Sequence, residues 1–262
     1  MLAFALATFT CILSNGRPNP RRSIERMTDP ILITGGATRL GYALAMHYIN
    51  NAQPVVITYR SQRPEVDKLK AAGVTCVHAD FATDSGVLDA LESLKSVMPR
   101  CQSIVHNASS WWTDPPLADQ LDHLALMMRI HVGTPMVLTH GLEPALEAAD
   151  NPSVILVSDH VAHRGSDKHM AYAASKAAML NLTQSLAKRY APTIRVNALC
   201  PALLAFRDED DDAYRAKTLK KSPLGRVPGF DVAIQGICYL QTNQYTTGTI
   251  LPLDGGRSLN MP

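Results

Sequence analysis

A tyrosine and a lysine stand four positions apart, Tyr172 and Lys176, in the stretch "SDHVAHRGSDKHMAYAASK" that runs from residue 158 to residue 176. In the alanine-rich run around them, that spacing places both side chains on one face of a helix. An ammonium beside a phenol favours the phenolate and lowers a pKa that is ordinarily about 10, so the pair reads as a proton donor near working pH. Asp159 lies at the start of the same stretch. An ionised carboxylate only accepts hydrogen bonds; it repels charge developing on a substrate oxygen and can receive an N–H. Ser158 is its rival, because neighbouring strand residues face opposite ways and only one of the two can point at the site. His160, His163 and His169 crowd this region without metal-site spacing and read as loop or supporting residues.

A second group could hold a dinucleotide. In "TGGATRLG" (34 to 41), glycines let the backbone approach a pyrophosphate while a following helix N-terminus supplies N–H groups; Gly35, Thr38, Arg39, Leu40 and Gly41 are the candidate contacts. Further on, "TYRSQR" carries Arg60, Ser61 and Arg63 where a carboxylate would grip the free ribose of NAD. Cations and a hydroxyl there suit a 2′-phosphate, which makes NADPH the expected cofactor, although Arg60 also reads as a solvated surface arginine. Asp80 is placed to receive an adenine amino group, or else to cap the helix after "FATDSG". Trp111 and Trp112 are the only tryptophans. Trp111 offers a flat face to a fused heteroaromatic ring, the alternative being that both pack the loop.

The elements that position these residues follow from periodicity. "ILIT" (31 to 34), "PVVITY" (54 to 59), "VTCVHA" (74 to 79), "SIVHNA" (103 to 108), "SVILVS" (153 to 158), "IRVNAL" (194 to 199) and "TILPL" (249 to 253) read as strands, with helical stretches such as "LGYALAMHYIN" and "GVLDALESLKSV" between them. Strands apolar on both faces and separated by helices predict an α/β fold: one Rossmann-type, doubly wound parallel sheet of about seven strands, with helices on both faces. The acidic run "DEDDD" (208 to 212) lacks the spacing of a calcium loop. It reads as a solvated loop leading into a helix, at a position where a lid over substrate could also lie.

With 262 residues, 46% of them hydrophobic, the chain can bury one large core. A net charge of +2 with scattered basic residues argues against nucleic acid or a membrane surface and for a small-molecule partner. The five cysteines, Cys11, Cys76, Cys101, Cys200 and Cys238, are odd in number and form no CxxC pair, as expected of free thiols in a reducing cytoplasm. Residues 1 to 26 differ from the rest: an apolar run precedes the arginines, the reverse of a secretory signal. They read as an extension outside the fold or a targeting peptide, with the folded domain spanning 27 to 262.

Together, the glycine-rich turn, "HNAS" (106 to 109), the Tyr172/Lys176 pair and the closing "TTGTILPLDGG" (246 to 256) resemble the short-chain dehydrogenase/reductase family. The resemblance implies that Asn107, Ala108 and Pro201 join the cofactor contacts and that Tyr172 and Lys176 are catalytic. Arg39 replaces a usual glycine, Asp159 replaces the usual serine thirteen residues before the tyrosine, and "NASSWW" follows the fourth strand. These departures are similar to the pteridine reductase branch. That implies NADPH-dependent reduction of 7,8-dihydromonapterin to tetrahydromonapterin, with dihydrofolate as a second substrate and a homotetrameric assembly. In this branch Trp111 sandwiches the pterin against the nicotinamide, Arg39 reaches both cofactor phosphate and pterin, and Ser109 contacts the bound ligands. Asp159 then accepts from the pterin or orients Tyr172. His131 stands where the family has an asparagine whose bound water links the active-site lysine to solvent; a histidine can also hold a water, and the proton route at this position stays open. Two rivals remain open: a carbonyl reductase acting on a 3-oxoacyl thioester through Ser158, and a dinucleotide-binding sensor without catalysis.

Overall fold

The computed structural model describes residues 29–259. The expected extension, residues 1–26, falls outside the described residues. Seven parallel strands form a single sheet: β1 (Ile31–Ile33), β2 (Val55–Tyr59), β3 (Thr75–His78), β4 (Ser103–His106), β5 (Ser153–Val157), β6 (Arg195–Pro201) and β7 (Ile250–Leu253), in the order β3-β2-β1-β4-β5-β6-β7. All seven strands read from the sequence are present. The chain winds outward from β1 to β3, then crosses back to place β4 on the other side of β1. This reversal opens a crevice beyond the carboxyl ends of β1 and β4.

Alternate strand residues divide into two cores, as a period of two requires. Leu32, Val56, Ile104, Val154 and Val196 face one; Ile31, Ile33, Val55, Ile57, Val105 and Ile155 face the other. The first is covered by α3 (Asp84–Val97), α4 (Gln120–Met128), α5 (Thr134–Gly141), α6 (Glu143–Glu147) and α7 (Met170–Tyr190), the second by α1 (Arg39–Asn50), α2 (Pro64–Ala71) and α9 (Asp231–Thr242). The last helix, α8 (Asp212–Leu219), follows the acidic run. Each fully buried Leu or Ile contributes about 1.5–3 kcal/mol of transfer free energy, so a sheet buried on both faces needs no disulfide.

Two local features shape the site. A π-helical turn, Arg129–Gly133, joins α4 to α5 and carries His131 into the interior. The N-terminus of α7 is capped from 56 residues away: the Asp114 carboxylate accepts from the N–H groups of Met170 (2.6 Å) and Ala171 (3.2 Å). That contact ties the tryptophan-bearing loop to the helix that carries Tyr172.

Candidate active site

A cleft of about 580 Å³ runs along the carboxyl ends of the strands, from the glycine-rich turn to the loop after β6. At its floor, Gly35 has φ +65° and an added Cβ would stand 2.9 Å from the Ala108 Cα; at Gly41 a Cβ would meet the Gly35 carbonyl oxygen at 2.3 Å. Only glycine permits this approach. Asn107 fastens the turn from the other side, donating through Nδ2 to the carbonyls of Thr34 and Gly35, both at 3.1 Å. Thr34 Oγ1 accepts from the backbone N–H groups of Asn107 and Ala108, each at 3.0 Å. The Asn107 side chain therefore shapes the turn, and the residue also lines the cleft with its neighbour Ala108. Leu40 lines the cleft as well, with its side chain packed into the core below.

The first turn of α1 has no acidic residue and no side-chain cap, so its N–H groups and positive dipole face the cleft. That arrangement fits a pyrophosphate. Arg39 adopts φ +48°, a left-handed conformation that explains why the family resemblance puts glycine here. Its guanidinium donates to the Ala205 carbonyl at 2.9 Å and lies 5.6 Å from the centroid of the Phe230 ring. It thereby bridges the glycine-rich turn and the loop after β6. Arg60, Ser61 and Arg63 line the rim at the end of β2, and Asp80 lines it beyond β3. Asp80 Oδ1 accepts from the Ala82 N–H, but α3 is capped by Thr83, whose hydroxyl oxygen accepts from Gly86 N–H at 3.0 Å. Pro201 ends β6 at the cleft wall.

The chemistry-bearing residues converge at the middle. The Tyr172 hydroxyl donates to Asp159 Oδ2 at 3.0 Å, while Asp159 Oδ1 accepts from the Val161 N–H at 2.8 Å, which holds the carboxylate in place. Ser158 turns the other way and donates to the Lys176 carbonyl at 2.9 Å. Asp159, not Ser158, therefore faces the phenol, and the two neighbours point in opposite directions just beyond the end of β5. Lys176 is fully buried and donates through Nζ to the Val157 carbonyl at 3.0 Å.

One expectation is corrected. Lysine was expected to draw the phenol pKa down, but burial pushes Tyr172 well above 10, and the Asp159 carboxylate adds to the rise. Burial lowers Lys176 to about 8, with Asp159 opposing. Burial and the carboxylate at hydrogen-bond distance act in the same direction, so the phenol is kept protonated.

His131, whose role the sequence leaves open, has a hydroxyl partner on each side. Its Nε2 lies 2.9 Å from Ser109 Oγ and its Nδ1 2.8 Å from Ser175 Oγ, so both ring nitrogens are engaged by hydroxyls and neither is left to hold a water. Trp111 borders the cleft with its ring 4.2 Å from that of His169 and edge-on to Tyr172 at 4.7 Å. His169 in turn donates to the Trp112 carbonyl at 2.7 Å, so Trp112 and His169 fix the loop that presents Trp111. Ser109 is exposed to the cleft.

Sequence reasoning did not find Asp114, Ser175, Arg207 or Phe230. Arg207 and Phe230 reach the cleft through packing of the loop after β6. Asp114 and Ser175 act through neighbours distant in the chain and carry no local pattern. In the acidic run, Asp210 accepts from the Arg207 N–H at 2.9 Å and Asp211 caps α8 by accepting from Tyr214 N–H at 2.7 Å, so it is the loop leading into a helix that was expected. Asp210 and Tyr214 also line the mouth of the cleft.

The sequence matches the family described as "Enoyl-(Acyl carrier protein) reductase" over residues 35–258. It is 47% identical over 233 residues to dihydromonapterin reductase of Enterobacter sp. (strain 638), covering 88% of this chain and 97% of that one. Against dihydromonapterin reductase of Citrobacter koseri it is 46% identical over 232 residues, with the same coverage. Among solved structures, FolM alternative dihydrofolate reductase 1 from Brucella canis, complexed with NADP, superposes with a TM-score of 0.81 at 26% identity, covering 90% of this chain and 96% of that one. The Brucella suis protein, also with NADP, gives 0.80 at 26% identity, covering 89% and 96%. A family match across nearly all of the described fold, with a tyrosine, a lysine and a glycine-rich turn gathered at one cleft, places the chain in the short-chain dehydrogenase/reductase family of nicotinamide-dependent oxidoreductases.

Proposed function

We propose that the protein reduces 7,8-dihydromonapterin to tetrahydromonapterin with NADPH, and accepts dihydrofolate as a second substrate. The observation that carries this reading is the Tyr172–Asp159 hydrogen bond, with Ser158 turned away into the Lys176 carbonyl. A ketone reductase gains from a second donor on the oxygen that becomes an oxyanion, and a carboxylate cannot supply one. Reduction of a dihydropterin instead protonates a ring nitrogen and presents ring N–H and amino donors, which suit an acceptor. The names of the relatives agree with this choice.

A bound reduced nicotinamide supplies the hydride. The chain's residues then have separable roles: the α1 N-terminus receives pyrophosphate, and Arg60, Ser61 and Arg63 receive the 2′-phosphate, consistent with the NADP carried by the Brucella proteins. Trp111 forms the aromatic wall for the pterin ring, and Tyr172 holds the transferable proton at its hydroxyl oxygen. Lys176 keeps a cation beneath the site.

The catalytic unit spans residues 27–262 and works as a homotetramer. Supporting assembly, Leu117, Leu121 and Leu124 are exposed near the start of α4 and along it, and Ala174 and Ala177 are exposed on α7, which packs against α4. The unpaired Cys76, Cys101, Cys200 and Cys238 fit a cytoplasmic setting. No helix among the described residues is long and apolar enough to cross a membrane.

The test is NADPH oxidation with dihydromonapterin, dihydrobiopterin, dihydrofolate and an acetoacetyl thioester in parallel, for wild type and Asp159→Ser. Pterin turnover that falls about 10²-fold in the variant is expected. Turnover of the thioester, or a fully active variant, refutes the reading, and cofactor binding with no turnover favours a sensor.

A further inference from the structure

We propose that His131, backed by Ser175, is a positioning residue that fixes the proton of the Ser109 hydroxyl, so that Ser109 meets the bound ligand as a hydrogen-bond acceptor. The inference rests on the pterin-reductase reading and sharpens its substrate class to rings that bring N–H donors.

The relay starts inside α7. Ser175 Oγ donates to the Tyr172 carbonyl at 2.7 Å, which commits its single proton. Toward His131 Nδ1, 2.8 Å away, Ser175 is left with lone pairs, so Nδ1 carries the ring proton. A neutral imidazole has one donor and one acceptor. Nε2 is therefore the acceptor, and Ser109 Oγ at 2.9 Å donates to it. The ring has no exposed surface, and burial with the nearby Lys176 cation lowers its pKa to about 2, so a second ring proton does not intervene. The π-helical turn is what brings this ring between the "HNAS" loop and α7.

With its proton held by His131, the exposed side of Ser109 offers only lone pairs to the cleft. Asp159 also only accepts. Among the three polar groups Ser109, Asp159 and Tyr172, the phenol is the donor, and it works between two acceptors. A ligand with adjacent ring N–H or amino groups satisfies that pattern; a bare carbonyl leaves both acceptors facing its oxygen. Ser109 lies within reach of the Tyr172 phenol, where a donated hydroxyl proton opposes the rise in the phenol pKa; holding that proton on His131 withdraws the opposition.

The experiment reads the His131 tautomer directly, from two-bond 1H–15N correlations of histidine-labelled protein, with His131 assigned by its loss in His131→Gln. Wild type is expected in the Nδ1–H form. Ser175→Ala removes the acceptor, so the ring switches to Nε2–H and the Ser109 proton turns toward the cleft. The Michaelis constant for 7,8-dihydromonapterin should then rise about tenfold with that for NADPH unchanged, and the alkaline limb of the pH profile should move to lower pH. An Nε2–H ring in wild type overturns the proposal, as does a switched tautomer in Ser175→Ala with an unaltered pterin Michaelis constant. The tautomers are read without substrate. If wild type turns over no pterin, the substrate reading falls, while the two spectra still decide whether the relay exists.

Discussion

The Lys176 ammonium lies 5.6 Å from the centroid of the Tyr172 ring and donates to the Val157 carbonyl, while the Tyr172 hydroxyl donates to Asp159. The phenol is thus coupled more closely to a negative charge than to the positive one four residues along its own helix. The pair keeps its proton on the tyrosine.

Burial of Lys176 carries a cost that can be measured. Its pKa falls from 10.5 to about 8, chiefly through burial. Between those values the unfolded chain binds a proton that the folded chain gives up, so the cost is greatest below pH 8 and is relieved as pH rises toward 10.5. Lys176→Met should raise Tm by roughly 2–5 °C at pH 7, with the gap over wild type closing above pH 8, and should reduce turnover at least about 10²-fold. Thermal melts across that range check it; a gap that widens with pH contradicts the burial argument.

Trp111→Ala should raise the Michaelis constant for the pterin about tenfold and leave that for NADPH nearly unchanged, because the ring borders the cleft beside Tyr172. Steady-state kinetics with each substrate varied in turn separate the two. Equal effects on both would mean the tryptophan only shapes the loop.

Arg60→Ala should lower the preference for NADPH over NADH about tenfold, since a charge-assisted bond to a 2′-phosphate is lost. The measured quantity is the ratio of kcat/KM for the two cofactors. An unchanged ratio would assign the phosphate to Arg63 or Ser61.

Arg39→Gly should stabilise the fold by about 1 kcal/mol, because Arg39 sits at φ +48° where glycine carries no Cβ penalty. The same change removes the guanidinium from the Ala205 carbonyl and the Phe230 ring, so turnover should fall as stability rises. Denaturant unfolding and kinetics on one preparation give both readings. A less stable variant would show that the bridge outweighs the strain.

The seven strands, the glycine-rich turn and the helix that follows it were legible in the chain because each depends on local periodicity and backbone freedom. That Asp159 and Ser158 had to diverge was legible from alternation; that Asp159 is the one facing Tyr172 followed from its spacing to the tyrosine in the family resemblance. Tyr172 and Lys176 share a helix face by spacing alone, and their convergence with the turn followed from the strand order of a doubly wound sheet.

The protonation of that pair was not legible, since it depends on distances between segments. Spacing brings Lys176 near the phenol but says nothing of the Val157 carbonyl that holds its ammonium or of how deeply burial penalises charge. His131 could be noticed as an odd residue at its position, yet its partners Ser109 and Ser175 lie 22 and 44 residues away. Likewise Asp114 caps α7 across 56 residues, and Arg39 meets Ala205 across 166. Local pattern determined the elements and which faces they present; hydrogen-bond direction, proton location and the walls of the cleft were decided by tertiary packing, because those energies depend on through-space distance and desolvation, which sequence separation does not encode.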